Sequence, residues 1–335
     1  MRAPAFYYRR PGLASFLLLP FGLAYGAVAT VRMRQRGARV GVPVICVGNP
    51  TLGGAGKTPT ALALAHMLAA MGEKPVFLSR GYGGDDAGPV LTDPAQHDAN
   101  SVGDEPILLA HAFPTVVAHD RVAGARLAVG YGASVIVMDD GFQNPALAKD
   151  VSLLAVDGAS GIGNGDVFPA GPLRAPLHAQ LSLAQGVVRV GAGSASDFVE
   201  KQAQAAGLPV FAARLVPDAA AAAELKGKKV LAFAGIGRPE KFFETLRSLG
   251  AELADTRAFA DHHRYSANEA RDLVGAAKSR GLTLVTTEKD RARMLGVAAL
   301  AELAAAARTL AVRLEFADET AVRNLMERAL AKARG

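Results

Sequence analysis

Gly56, Lys57 and Thr58 close a glycine-rich run, Gly48-Asn-Pro-Thr-Leu-Gly-Gly-Ala-Gly-Lys-Thr-Pro59. These residue types suit the holding of phosphate. Backbone N–H groups of such a loop, and of a helix start behind it, point at phosphate oxygens. Lys57 is expected to reach the β- and γ-phosphates and Thr58 to ligate Mg²⁺. The expected nucleotide-binding residues are therefore Thr51, Leu52, Gly53, Gly54, Ala55, Gly56, Lys57 and Thr58. A complete phosphate-loop pattern has glycine at position 51, where this chain has Thr51. The competing reading is a glycine-rich turn with a chance lysine. The order of parts argues against it: an apolar strand (Val44 to Val47), the loop, Lys57-Thr58, then an alanine/leucine helix (Thr60 to Met71). Pro59 falls in the first helical turn, where proline is tolerated.

A second candidate is the strand end Val135-Ile-Val-Met-Asp139-Asp140. A buried strand that delivers an acid at its C-terminal edge, beside a phosphate loop, can hold Mg²⁺ together with Thr58. Asp139 is expected in that role, with Asp140 sharing it or orienting a neighbour. Transfer of a phosphoryl group to a hydroxyl also benefits from a base near the acceptor. Asp104, in a Gly-Asp-Glu-Pro loop, is one candidate, and His262, in Asp261-His-His-Arg-Tyr265, is another. Taken singly, each reads equally well as a solvated loop acid or a helix cap. The Asp-His-His triplet also occurs in metal-dependent phosphoesterases, but their further acidic motifs are missing here. Membrane-associated assembly ATPases have a lysine where this chain has Leu52. Guanine-specific GTPases have an Asn-Lys-x-Asp motif, which Thr287-Glu-Lys-Asp290 does not match. ATP is the nucleotide expected.

These residues need a scaffold. Strands are expected at Lys74–Ser79, Thr115–Ala118, Ser134–Met138 and Val151–Val156, with helices at Ile107–Ala112 and Arg121–Gly130 between them. Such alternation predicts an α/β fold: a parallel sheet with helices on both faces, of phosphate-loop NTPase type. Residues 158–178 form a long glycine- and proline-rich loop, and such loops are often functional. Residues 218–223 read as a linker or a helix start. Strands at Val230–Ala234, Gly281–Val285 and Thr309–Leu314 and helices at Glu240–Leu249, Ala267–Arg280 and Glu319–Ala331 predict a second, smaller α/β domain. The expected division is 1–39, a hydrophobic membrane-associated segment; 40–217, a phosphate-loop kinase domain; and 224–335, the smaller domain.

The chain has 335 residues, enough for two ordinary domains, and half of it is hydrophobic. Its single cysteine, Cys46, excludes an internal disulfide framework and suits a reducing compartment. The net charge of +6 is uneven: residues 1–39 hold seven arginines and no acid. Removing those seven from the 37 basic residues leaves 30, against 31 acidic ones, so the rest carries −1. This argues against a nucleic-acid partner, which needs a basic face on the folded body. Between the arginine groups, Leu13 to Val31 carries no charge and includes Pro20. A membrane span needs about 20 apolar residues, so this run is just long enough. A spanning helix and an interfacial helix both fit, the flanking arginine clusters argue against a buried core helix, and no cleavage site favours a signal peptide. A nucleotide site needs cytosolic ATP, so the catalytic body is expected on the cytoplasmic side.

Together these strings resemble the tetraacyldisaccharide 4′-kinase (lipid A 4′-kinase) family of Gram-negative bacteria. The resemblance rests on Gly48 to Pro59, Ser79-Arg-Gly-Tyr-Gly83, Val102-Gly-Asp-Glu-Pro106, Asp139-Asp-Gly-Phe-Gln143, Gly163-Asn-Gly165 with Pro169 to Arg174, Phe233-Ala-Gly-Ile-Gly237, Phe259-Ala-Asp-His-His263 with Tyr265, and Thr286-Thr-Glu-Lys-Asp290. The family's loop also lacks the first glycine. The resemblance implies transfer of the ATP γ-phosphate to the 4′-hydroxyl of a lipid disaccharide 1-phosphate, at the inner membrane, with ATP and Mg²⁺. It implies Asp104 as the base, paired with His262, and contact with the membrane through residues 12–31. Arg174 is a candidate for lipid phosphate. The family usually has histidine where this chain has Asn144, which cannot titrate. The alternatives are a membrane-associated ATPase without an acceptor and a soluble small-molecule kinase. Acyl-chain preference and oligomeric state are not legible.

Overall fold

The computed structural model describes residues 4–334. Arg2, in the expected membrane segment, and Gly335, at the end of the expected smaller domain, lie outside them. The strands in chain order are β1 (Val44–Gly48), β2 (Pro75–Ser79), β3 (Val90–Leu91), β4 (Thr115–Val117), β5 (Val135–Asp139), β6 (Val151–Asp157), β7 (Gly186–Val190), β8 (Val210–Pro217), β9 (Lys229–Ala234), β10 (Glu252–Ala258), β11 (Thr283–Thr287), β12 (Arg308–Leu310) and β13 (Val312–Phe316). They form two sheets. The large one has nine strands in the order β13-β8-β7-β6-β1-β5-β2-β4-β3, and the small one has four in the order β10-β9-β11-β12.

In the large sheet the strands from β8 to β4 run parallel, and the edge strands β13 and β3 are antiparallel. Every residue of β1, β5 and β6 is buried. That suits a parallel sheet covered on both faces, whose strands need apolar residues on each side. Val44 and Cys46 enter one core and Ile45 and Val47 the other, following the two-residue period of a strand. Strand β1 lies between β5 and β6, so the chain order reverses direction there. In open parallel sheets ligands bind beyond the carboxyl ends of the strands at this switch point. The glycine-rich loop leaves β1 there.

The small sheet repeats the plan on a smaller scale. Strand β9 is central, and helices Pro239–Ser248 and Ala267–Arg280 cover opposite faces through Phe242, Phe243 and Leu246 on one side and Leu273, Val274 and Ala277 on the other. Ser266 and Glu269 cap the second helix reciprocally, and Gly281, with φ of 62°, ends it. The doubtful stretch at 218 is a helix, Ala219–Leu225, whose cap Asp218 accepts from the Ala221 N–H.

One boundary differs from the expectation. The strand expected at Thr309–Leu314 splits at Ala311: β12 finishes the small sheet, while β13 pairs antiparallel with β8 of the large one. The helix Glu319–Arg334 follows it and buries Val322, Met326, Ala329 and Leu330 beside the loop helix. The smaller unit therefore does not extend from 224 to the C-terminus; its last segment returns. The physical reason is local. Strand β8 would otherwise be an unpaired edge, and the amphipathic helix needs an apolar surface.

The N-terminal run is a single helix, Leu13–Met33, with Pro20 inside it. It is long and apolar enough to cross a membrane by length and composition. A core helix would be mostly covered. This one buries only a stripe, Ser15, Gly22, Gly26 and Met33. Leu13, Phe16, Phe21, Leu23, Val28 and Val31 are each more than 60% exposed. The stripe docks on the 158–178 loop. A Cβ at Gly22 would meet the Val167 carbonyl at 2.7 Å, so glycine is what permits the approach. Asn164 donates to the Ser15 hydroxyl at 3.1 Å, and its backbone N–H to the Tyr7 carbonyl at 2.7 Å.

Candidate active site

The phosphate loop is pinned at its start and open at its tip. Thr51 pairs antiparallel with Leu173, and the Leu52 N–H donates to the Pro172 carbonyl at 2.8 Å. The Thr51 carbonyl accepts from Asn49 at 2.7 Å and from Arg174 Nε at 3.0 Å. Thr51 is buried and its φ is not positive, so the backbone there does not require glycine. Gly53 and Gly54 are exposed. Gly56, with φ of 84°, caps the helix Lys57–Ala70 in the left-handed region, where a side chain would strain. The expected phosphate-binding residues thus form one continuous turn onto a helix N-terminus.

Thr58 and Asp139 meet as the magnesium reading requires. The Thr58 hydroxyl donates to Asp139 Oδ2 at 2.9 Å. Asp139 Oδ1 is buried and has no hydrogen-bond partner. Burial first, then the neighbouring Glu105 and Asp140, push the Asp139 carboxyl well above the usual carboxylate range; Lys57 and Thr58 work against this. A buried carboxylate with an orphaned oxygen is costly unless a cation sits on it. The donor set therefore fits Mg²⁺, which takes one or two protein oxygens and completes its shell with phosphate and water.

Asp140 faces elsewhere. Arg174 Nη1 and Nη2 donate to its two oxygens at 3.0 and 3.1 Å, and Lys57 Nζ lies 3.6 Å from Oδ2. Burial opposes its charge, but Lys57 and Arg174 outweigh that and hold it below its ordinary value. Its φ is +55°, and His262 has the same φ; these are the two non-glycine residues with positive φ among those described. Such backbone costs of order 1–3 kcal/mol each and persists where its surroundings fix it. The Asp140 N–H donates to Val47 and the His262 N–H to Gly235.

Asp104 and His262 come together from the two sheets. Gly103, with φ of 92°, turns the chain so that Asp104 opens the helix Asp104–Ala110. His262 follows β10 across the join. Its Nδ1 lies 3.1 Å from Asp104 Oδ2. Asp104 Oδ1 accepts the Glu105 N–H at 3.0 Å. Burial opposes the charge on Asp104, but His262 and Arg293 hold its carboxyl far below the usual range. The contact with Asp104 raises the His262 imidazole above its ordinary value, against burial. A cavity of about 80 Å³ adjoins the pair, lined by Tyr82, Asn100, Arg264 and Arg293 among others.

Three site residues had no role in the sequence reading: Glu105, Lys289 and Arg293. Lys289 donates to Glu105 at 2.6 Å, and Arg293 Nε to Asp104 Oδ2 at 2.7 Å. Both pairs join the large unit to the small one. Asp157, at the end of β6, adds a third join to Arg238 and Lys241. Acids lie on one side and bases on the other, a complementarity visible only once the two sheets face each other. Asn144, where histidine was expected, accepts the Ala146 N–H at 2.8 Å and closes a turn.

The chain matches the family described as tetraacyldisaccharide-1-P 4′-kinase over residues 14–331. It is 54% identical over 334 residues to the tetraacyldisaccharide 4′-kinase of Nitrobacter winogradskyi, covering 100% of this chain and 99% of that one. It is 57% identical over 322 residues to that of Methylobacterium sp. strain 4-46, covering 96% and 95%. A crystal structure of LpxK from Aquifex aeolicus in complex with ATP superposes with a TM-score of 0.73 at 26% identity, covering 95% of this chain and all of that one.

Proposed function

The chain belongs to the tetraacyldisaccharide-1-P 4′-kinase family, and from that premise we infer that it transfers the γ-phosphate of ATP to the 4′-hydroxyl of a tetraacyldisaccharide 1-phosphate in lipid A biosynthesis. It is a phosphotransferase with an alcohol acceptor. The observation that carries the reading is the pairing of Asp104 with His262 beside the phosphate loop that ends in Gly56-Lys57-Thr58. An ATPase without an acceptor would have no use for that pair.

Phosphoryl transfer demands positioning and neutralisation of charge more than covalent help. Loop amides and Lys57 receive the phosphates. On binding, Lys57 leaves Asp140 for them, while Arg174 keeps Asp140 in place. Asp139 and Thr58 hold Mg²⁺, which supplies positive charge to the phosphate oxygens. His262 takes the acceptor proton on Nε2. Its Nδ1–H points at Asp104, so the free lone pair of the neutral ring is on Nε2. Asp104 does not take the proton itself: its Oδ2 is shared by His262 and Arg293, and its charge is strongly held. The sequence reading gave the proton to Asp104; the geometry favours the reverse assignment.

The exposed apolar face of the Leu13–Met33 helix supports association with a membrane. We assign the helix to the interface, lying flat, because its small-residue stripe is docked from Ser15 to Met33. We assign the body to the cytoplasmic face of the inner membrane, where ATP is available. The 158–178 loop touches this helix on one side and pins the phosphate loop on the other, which brings a lipid acceptor to the nucleotide.

The test is purified protein with Mg-ATP and the disaccharide lipid in detergent, followed by mass analysis of the lipid. The reading predicts one added phosphate per lipid in step with ADP. ADP without phosphorylated lipid would favour the ATPase reading.

A further inference from the structure

Arg293 bonds Asp104 of the Asp104–His262 pair directly and reaches the His262 backbone through the Gly235 carbonyl. It is 7% exposed. Its Nε donates to Asp104 Oδ2 at 2.7 Å, and its Nη1 to the Gly235 carbonyl at 2.6 Å and to Asp290 Oδ1 at 2.8 Å. The oxygen on Asp104 is the one that faces His262 Nδ1. The Gly235 carbonyl also accepts the His262 backbone N–H at 3.1 Å. Asp290 is fixed in turn: its Oδ1 accepts from the Gly235 N–H at 3.0 Å and the Tyr265 hydroxyl at 2.9 Å, and its Oδ2 from Thr287 at 2.7 Å. Arg293 cannot turn away without breaking several buried, charge-assisted bonds.

Four groups face the His262 ring. Asp104 comes from the large unit, and Tyr82 lies edge-on from the loop after β2 at 5.4 Å between centroids. Asp261 lies 4.0 Å from Nε2 on the same loop, and Arg293 comes from the helix Glu288–Met294. Arg264 lines the same cavity but donates to the Gly83 carbonyl. The two acids favour the charged ring, and Arg293 opposes them. A base needs that opposition. Without Arg293 the two acids would raise the ring further.

We propose that Arg293 is a positioning residue for the transfer: it fixes the Asp104 carboxylate on His262 Nδ1 and sets the pH at which His262 Nε2 is free to accept the hydroxyl proton. The proposal rests on His262 being the proton acceptor.

The experiment is the pH profile of kcat/KM for the wild type, Arg293→Gln, Arg293→Lys and His262→Asn, each checked for folding and Mg-ATP binding. In Arg293→Gln the acid limb is expected to move up by about one pH unit, with activity recovered at higher pH. Arg293→Lys keeps the charge but loses the planar fork; its limb stays in place while kcat falls about tenfold or more. An unmoved limb in folded Arg293→Gln overturns the proposal. If that variant does not fold, wild-type kcat in Arg293→Lys overturns it. A limb that survives in His262→Asn would instead overturn the assignment of the base and leave Arg293 structural.

Discussion

His262 Nδ1 lies 3.1 Å from Asp104 Oδ2, although 158 positions separate the two residues in the chain. One belongs to the large sheet's unit and the other to the small one's, so the pair exists only while the units are joined. On the proposed assignment the proton-accepting atom belongs to the small unit and the phosphate loop to the large one.

The first prediction concerns pH. A base must be neutral, and the His262 value is raised, so activity falls as pH drops through that raised value. The acid limb of kcat/KM is expected above the ordinary histidine value of about 6.5. Asp104→Asn removes the raising charge and moves the limb down. It also lowers kcat by roughly 10²–10⁴-fold, the usual scale for lost acid–base assistance. A limb that stays put in Asp104→Asn would break the link between the two residues.

Asp139 and Asp140 separate by partner. Asp139→Asn removes the oxygen that has no other use, so it should abolish the magnesium dependence of ATP binding. Asp140→Asn loosens Arg174 and Lys57, and should raise KM for ATP while magnesium dependence persists. Lys57→Met should lower kcat by roughly 10²–10³-fold. Titrations with Mg²⁺ at fixed ATP distinguish the two aspartates; identical responses would contradict their separate roles.

Thr51 marks where the loop departs from the common pattern. It sits in a backbone pair with Leu173, a position that asks for an extended residue. Thr51→Gly should therefore not improve ATP binding. It should lower stability by about 0.5–1 kcal/mol, the cost of glycine in extended structure. Thermal melts and ATP titrations check both parts.

Much of this was legible in the sequence, for physical reasons. The run Val44 to Thr58 specifies strand, loop and helix because each residue type has one conformational use there. Asp139 was legible because a strand that turns from apolar to acidic must end at a polar site. Strand β10 was missed because its half-exposed pattern carries no apolar run, whereas β7 and β8 were missed although each contains one, Val187-Val188 and Val210 to Ala213. The return of β13 was missed because Ala311 gives no turn signal between it and β12. Arg293 was missed because its meaning comes from Asp104, 189 positions away. A single helical Arg carries no local sign of that.

The N-terminal helix gives a separable prediction. Phe16 and Phe21 are 71% and 65% exposed, so changing both to Glu should leave the fold intact. Burying a Phe side chain is worth about 1.5–3 kcal/mol, so partition onto lipid vesicles should fall by tenfold or more. Gly22→Leu acts differently: it pushes against the Val167 carbonyl and should loosen the 158–178 loop that pins the phosphate loop. Vesicle sedimentation, read beside ATP affinity, tells the two effects apart.

The central claim is that this site joins a nucleotide to a lipid hydroxyl. The most direct measurement uses ATP labelled in the γ-phosphate, the disaccharide lipid in micelles, and fragmentation of the product to find the label. The account predicts the label on the sugar that carries the 4′-hydroxyl, formed by Lys57→Met roughly 10²–10³-fold more slowly than by the wild type. Label released as free phosphate, or found at any other position on the lipid, would contradict it.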